Sequence, residues 1–427
     1  MHYHATGACT SRKNTANSGS HRCILMATDE STRMPERSKI TRVVLTNYKS
    51  FAHCDVTLGP LTFLVGPNGA GKSNFIDALR FCRDALRTPL DQVFAKRNTN
   101  LLTLRRRPLA DPSSSLKLRF DFTLAHGDTG YYEFALGPQP PRGFEVLQDR
   151  CIIHNSGGQP RHLFDIRSGE FAAWSLSTPA PLPNSKRLYL VNASGVSEFQ
   201  PVYELLSCME FYTPDPDKIN DLDTTGSENI LNEHGDNIAS VLGRLARTQP
   251  ATKDRIDQYL QAIVPGFKSV EAEDFRKSSH RFLNFHQRVP GSTIPVEFLA
   301  SSMSDGTLRA LTLLVALFQK AGTDGGISLV AIEEPEAGLH PGATAVLLDA
   351  LREASESVQV VVTTHSSDLL DDKEIPAASI RSVYWENGET HIDPVDSAAD
   401  SALRDRLYTA GELLRMGALR PPQPLPQ

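Results

Sequence analysis

The chain has 427 residues, 40% hydrophobic and 22% charged, with a net charge of −6, the profile of a soluble globular protein with room for two or three domains. This charge gives no global signal for nucleic acid, and no apolar run approaches the roughly 18–20 residues that a membrane span needs. Cys9, Cys23, Cys54, Cys82, Cys151 and Cys208 are scattered without a C-x-x-C pair, so neither a zinc site nor a disulfide framework is expected, and a reducing cytoplasm is the simplest setting.

Residues 1–37 are rich in Ser, Thr, Asn, Arg and His and lack apolar periodicity; they read as a disordered N-terminal extension, with Met26 and Met34 as candidate starts. Residues 40–45 alternate and are β-rich, which predicts a first strand, with 51–58 as its hairpin partner. A short apolar run at 61–65 predicts a buried strand. It leads directly into Gly66-Pro67-Asn68-Gly69-Ala70-Gly71-Lys72-Ser73, which fits G-x-x-x-x-G-K-[ST] without mismatch, and helical spacing resumes at Asn74. A strand that turns sharply into a helix leaves a concave row of backbone N–H groups, and these donors with the positive end of the helix dipole hold a polyphosphate. Glycines at 66, 69 and 71 keep Cβ atoms out of the way. Lys72 would neutralise the terminal phosphates, and the Ser73 hydroxyl would ligate Mg²⁺.

Leu116, Leu118, Phe120, Phe122 and Leu124 alternate with polar residues and predict a half-buried strand. Residues 131–136, 144–147 and 187–191 suggest further strands, and from about 200 to 265 the pattern turns helical. A strand is predicted at 294–299 and a long apolar helix at 308–318. Ser304, Asp305 and Gly306 stand before that helix and offer a hydroxyl and free N–H groups to an anion. Residues 327–332 predict a buried strand that ends in Glu333-Glu334, which places two carboxylates at the carboxyl edge of a sheet, where the phosphate loop also lies. Glu333 would hold the Mg²⁺ shell, and Glu334 would orient or deprotonate an attacking water. A helix at 343–354 and a buried strand at 359–363 follow. The strand ends at His365, which would bond the γ-phosphate and sense hydrolysis. Residues 384–392 carry a hairpin turn at Asn387-Gly388, and 420–426 form a Pro-rich tail. Strands alternating with helices predict a largely parallel sheet with covered faces.

Together these segments resemble the ATP-binding-cassette ATPases of the SMC, RecF and OLD type, closest to the stand-alone ATPases of that group. The matching strings are Gly66 to Ser73 (Walker A), Ser304-Asp305-Gly306-Thr307 (signature), Ile332-Glu333-Glu334-Pro335-Glu336 (Walker B) and Thr364-His365-Ser366 (switch His), with Asn47 to Phe51 like the group's opening strand and Gly338 to Pro341 like its D-loop region. The resemblance implies an α/β P-loop NTPase head of the ABC type, a mixed sheet with covering helices, interrupted by a β-rich and then helical insertion. The corresponding division is an extension at 1–37, a first core part at 38–127, the insertion at 128–290, a second core part at 291–400, and a C-terminal helix with its tail at 401–427.

It implies ATP and Mg²⁺ as cofactors. Gly66 to Asn74 and Ser304 to Gly306 would bind nucleotide, Ser73 and Glu333 would hold the metal, and Lys72, Glu334 and His365 would act in hydrolysis. It also implies a homodimer that sandwiches two ATP molecules, with Ser304 and Gly306 of one copy meeting the γ-phosphate held by Lys72 of the other. The signature departs from Ser-Gly-Gly-Gln in a way that fits the RecF/OLD branch, Walker B has Glu333 where Asp is usual, and Gln92 is the candidate for the Q-loop. No long coiled coil separates the halves, and no Toprim cluster follows within 427 residues. DNA, or a nuclease or toxin protein, is the candidate partner in repair or defence, and no membrane is implied. The local basic patch is Arg105-Arg106-Arg107 with Lys96 and Arg97. The alternative is a nucleotide switch that restrains an effector without touching DNA.

Overall fold

The computed structural model describes residues 37–107, 115–139, 143–184, 186–219, 223–224, 230–274, 280–319 and 326–419. The N-terminal extension, apart from residue 37, and the Pro-rich tail lie outside them.

The first strands are β1 (Lys39–Tyr48), β2 (Phe51–Thr57) and β3 (Leu61–Val65). After the phosphate loop come α1 (Lys72–Arg87), α2 (Leu90–Lys96) and α3 (Leu101–Leu104). Five strands follow: β4 (Leu116–Thr123), β5 (Thr129–Gln139), β6 (Gly143–His154), β7 (Pro160–Arg167) and β8 (Glu170–Trp174). Then come α4 (Tyr189–Ala193), α5 (Gln200–Ser207), β9 (Met209–Tyr212), α6 (Pro216–Ile219), β10 (Asp223–Thr224), α7 (Ile238–Thr248) and α8 (Pro250–Ile263). The last part holds β11 (Phe267–Asp274), β12 (His280–Gln287), β13 (Val296–Leu299), α9 (Asp305–Phe318), β14 (Leu329–Glu333), α10 (Pro341–Ser355), β15 (Gln359–Thr364), β16 (Ile380–Glu386), β17 (Glu389–Pro394), α11 (Ser397–Arg404) and α12 (Ala410–Arg415).

The central sheet has the order β17-β16-β3-β15-β14-β9. Every pairing from β16 to β9 is parallel, and only the β16–β17 hairpin is antiparallel. Its inner strands β3, β15 and β14 read as largely apolar runs because both faces are covered. Leu64, Leu329, Ala331 and Val361 join a core with α1 and the antiparallel sheet, whereas Phe63, Val65, Val330, Ile332, Val360 and Val362 join a second core with α7, α8, α9 and α10. This alternation is the period of two that a strand imposes. A second, antiparallel sheet runs β2-β1-β4-β5-β6-β7-β8, and a third sheet pairs β10, β11 and β13 with β12. Among the described residues no helix is long and apolar enough to cross a membrane.

Residues 187–191 do not form the expected strand. The segment is the start of α4, with Leu188, Tyr189, Leu190 and Ala193 buried at helical spacing. Tyr189 N–H, one of the first-turn donors that no helix satisfies internally, is taken by the Asp149 carboxylate at 2.5 Å. Asp149 is fully buried, and this desolvation raises its pKa to about 8, only partly countered by the bond from Tyr189 N–H and the nearby Tyr132 hydroxyl. A carboxyl whose folded pKa lies above its unfolded one makes the protein lose stability as pH rises from about 4 to about 8. Asp149→Asn, which keeps an acceptor for Tyr189 and cannot ionise, should therefore raise the melting temperature at pH 8 while changing it little at about pH 4 or below. The gain should be several kcal/mol, with an upper bound of about 5–6 kcal/mol set by the rise from 3.8 to about 8 at about 1.4 kcal/mol per pH unit.

Candidate active site

Register alone brings three of the sequence motifs to one edge. Thr364 on β15 pairs with Val65 on β3, and Glu333 on β14 pairs with Thr363, so three parallel strands end level. The phosphate loop, the twin glutamates and His365 follow these three ends directly. Val65 and Glu333 are two strand spacings apart, about 10 Å, within reach of long side chains. This is the carboxyl edge, where open α/β sheets place ligands.

The loop is fixed from both sides. Gly66 N–H donates to Thr364 O at 3.4 Å, and a Cβ on Gly66 would lie 2.0 Å from Val383 O. Gly69 and Gly71 have φ of 79° and 107°, the left-handed region open to glycine. A Cβ on Gly71 would meet Thr390 Oγ1 at 2.3 Å. Thr390 Oγ1 donates to Ala70 O at 2.9 Å and lies 2.8 Å from Ser50 Oγ, which also accepts from Asn74 Nδ2 at 2.8 Å. Asn74 thus braces the loop from the first turn of α1. Further along α1, Asp77 takes Tyr48 Oη at 2.6 Å, Lys49 Nζ at 2.5 Å and Arg97 Nη1 at 2.9 Å. Burial pushes the Asp77 carboxyl up, but Arg97 and Lys49 outweigh it and hold it below the usual range. The β1–β2 turn is thereby riveted to the helix that carries Lys72.

Lys72 is buried, and its Nζ donates to Gly66 O at 2.7 Å and Pro67 O at 3.1 Å. Burial lowers the pKa of its ammonium, and the nearby carboxylates of Glu334, Glu336 and Glu333 oppose that shift. Lysine and glutamates, remote in sequence, therefore share one electrostatic field. Pro67, Asn68, Gly69 and Ser73 are exposed, and α1 begins without a side-chain cap.

Glu333 and Glu334 face different elements. Glu333 Oε1 lies 3.6 Å from Arg80 Nη2 on α1, whereas Glu334 Oε1 lies 3.2 Å from His365 Nδ1. Glu334 has φ of 46°, a left-handed conformation that costs a non-glycine residue about 1–2 kcal/mol. Its N–H donates to Thr363 O at 2.9 Å, which fixes the bend. Glu336 accepts from Thr364 Oγ1 at 2.5 Å and ties the Walker B turn to the strand before His365.

The uncapped helix start, the buried ammonium on the loop and the carboxylates opposite it make a donor and acceptor set that fits a magnesium-bound polyphosphate. Among the described residues no hydrogen bond or ion pair joins Ser304, Asp305 and Gly306 to the phosphate loop. Ser304 caps α9 by accepting from Thr307 N at 3.2 Å. Gly306 packs on the segment after Walker B, where its Cβ would lie 2.5 Å from Gly338 O.

Two expectations are corrected. Gln92 lies on α2, beyond the far end of the 16-residue α1 and so about 24 Å along from the loop, and it is exposed. The arginine run is not a basic face. Arg105 is 2% exposed, Arg106 pairs with Glu389 at 2.7 Å, and Arg97 is held by Asp77 and Asp84, which leaves Arg107 and Lys96 exposed. Arg80 and Glu233 were not anticipated. The available signal was spacing, since Arg80 falls seven positions after Ser73, on the same stripe of α1.

Residues 61–372 match the family model described as "AAA domain, putative AbiEii toxin, Type IV TA system". A 56-residue segment is 41% identical to the DNA replication and repair protein RecF of Brucella abortus; it covers 13% of this chain and 15% of that protein's length. The structure is similar to the Smc head domain with an extended coiled coil, bound to the C-terminal domain of ScpA, derived from Pyrococcus furiosus. That match has a TM-score of 0.50 and 13% identity over 87% of this chain and 99% of the other. The SMC head domain from Thermotoga maritima matches at a TM-score of 0.40 and 16% identity, over 84% and 99% of the two chains.

Proposed function

Since the chain belongs to the AAA-domain family of that model and is an ABC-type ATPase of the SMC/RecF-like group, we propose that it binds and hydrolyses ATP between two copies of itself in the cytoplasm. The observation that carries this reading is the level ending of β3, β15 and β14, which sets buried Lys72 opposite Glu333 and Glu334. Lys72 and the loop N–H groups hold the triphosphate. Ser73 and Glu333 would hold Mg²⁺, which when bound offsets charge on the β and γ phosphates. Glu334 accepts the proton of the attacking water, and His365, 3.2 Å away, keeps its carboxylate in place. Ser304 and Gly306 stand on a surface of their own beside Gly338, so the donors they offer serve the phosphate of a second copy.

The work done is that of a switch: ATP closes the pair, hydrolysis opens it, and an attached effector responds. The family description, which names a toxin–antitoxin system, favours a protein effector over DNA, and with Arg105 buried and Arg106 paired to Glu389 the basic run offers DNA little beyond Arg107 and Lys96. The RecF match favours the second reading, a DNA-stimulated ATPase in repair. Steady-state ATPase assays with and without duplex DNA separate the two. The switch reading predicts equal rates within about twofold, and a rise of tenfold or more at low salt would transfer the argument to DNA.

A further inference from the structure

Arg80 has no part in the scheme above, yet its guanidinium lies beside the carboxylate assigned to the metal. Nη2 is 3.6 Å from Glu333 Oε1 and 3.0 Å from Glu233 Oε1. Its Cζ stands 5.2 Å from the Phe211 ring centroid, at the end of β9, the strand next to β14. The backbone holds Glu233 there, because Thr213 N–H donates to Glu233 O at 2.9 Å just past β9. Neither ion pair is a directed hydrogen bond: Arg80 Nε and Nη2 are both buried without a hydrogen-bond partner. The contact is a charge placed near a charge, easily exchanged for a smaller and denser one.

We propose that Arg80 is a resident counter-cation for Glu333 that competes with Mg²⁺ for that carboxylate, and that Glu233 takes Arg80 over when the metal arrives. This rests on the assignment of Glu333 to the metal. Ser73 and Arg80 share one stripe of α1, about 10 Å apart along the axis, and long side chains on a helix lean toward its N-terminal turn, the end that carries Ser73. Two neighbouring carboxylates without a counter-charge would be costly, and Arg80 lies against both Glu233 and Glu333 and offsets that cost. Glutamate in place of the usual aspartate fits the scheme: its extra methylene lets the carboxylate reach both the arginine and the metal. Arg80 is thus a positioning residue that sets how much metal the nucleotide complex requires.

The test is a Mn²⁺ titration of the protein with a non-hydrolysable ATP analogue, followed by the electron paramagnetic resonance of bound Mn²⁺. Nucleotide binding is measured separately in EDTA. Arg80→Gln should lower the half-saturating Mn²⁺ concentration about tenfold, because Glu333 loses its competitor. Arg80→Lys should stay within about threefold of the unaltered protein. Glu233→Gln should raise the concentration several-fold, because Arg80 then has only Glu333 to pair with. Arg80→Gln that binds Mn²⁺ equally or more weakly, while still binding nucleotide in EDTA, would overturn the counter-cation role alone. Absence of nucleotide binding by the unaltered protein would instead overturn the functional reading beneath it.

Discussion

Glu334→Gln should bind ATP with unchanged affinity, hydrolyse it at least about 100-fold more slowly, and elute as a dimer when ATP is saturating. Removal of a general base typically costs 10²–10⁴ in rate. Glutamine preserves the shape of the side chain and a contact for His365, at 3.2 Å in the unaltered protein, so it removes the base without opening a hole. The left-handed backbone at residue 334, φ 46°, is set by the bond from its N–H to Thr363 O and not by the carboxylate, so the turn survives the change. ATP then stays intact between the copies, and the bound state accumulates. Rate measurements read the first effect and size-exclusion chromatography with light scattering reads the second. A variant that remains monomeric with saturating ATP would count against the sandwich even if turnover fell.

Lys72→Ala should raise the dissociation constant for ATP by at least about 100-fold, as measured by calorimetry or fluorescence titration. Hydrogen bonds to charged groups contribute about 1.5–3 kcal/mol each, and the loss of two phosphate contacts corresponds to roughly 10²–10⁴ in affinity. The effect is large because the protein already holds the ammonium in a buried position against the Gly66 and Pro67 carbonyls. It has little entropy left to lose when phosphate takes the place of those carbonyls. Lys72→Met, which retains the buried stem, should bind as poorly as Lys72→Ala. If methionine restored affinity, packing and not charge would be the role of this side chain.

The motif strings were legible because each encodes a backbone geometry. Gly69 and Gly71 sit at positive φ, and Gly66 and Gly71 face Val383 and Thr390 so closely that any Cβ would collide. The alternation of β4 was equally plain, since one of its faces is buried and the other is half-exposed. β9 was not legible. It has four residues, all buried, and lies between a helix and a helical stretch, so it shows neither period. With β9 went the position of Glu233 and the surroundings of Arg80. The basic run misled because composition does not report partners: Arg106 meets Glu389, which lies 283 positions away in the chain. Ser304 was legible as a residue standing before a helix, but that it caps α9 and which surface it shares with Gly338 depend on packing that no local pattern records.

The most direct test of the account is a crystal structure of the Glu334→Gln protein with magnesium and ATP. The γ-phosphate is expected within hydrogen-bond distance of Lys72 in one copy and of Ser304 in the other, with the metal between Ser73 and Glu333. Density for the triphosphate away from the 66–73 loop, or a lone copy whose Ser304 faces solvent while ATP fills the loop, would contradict it.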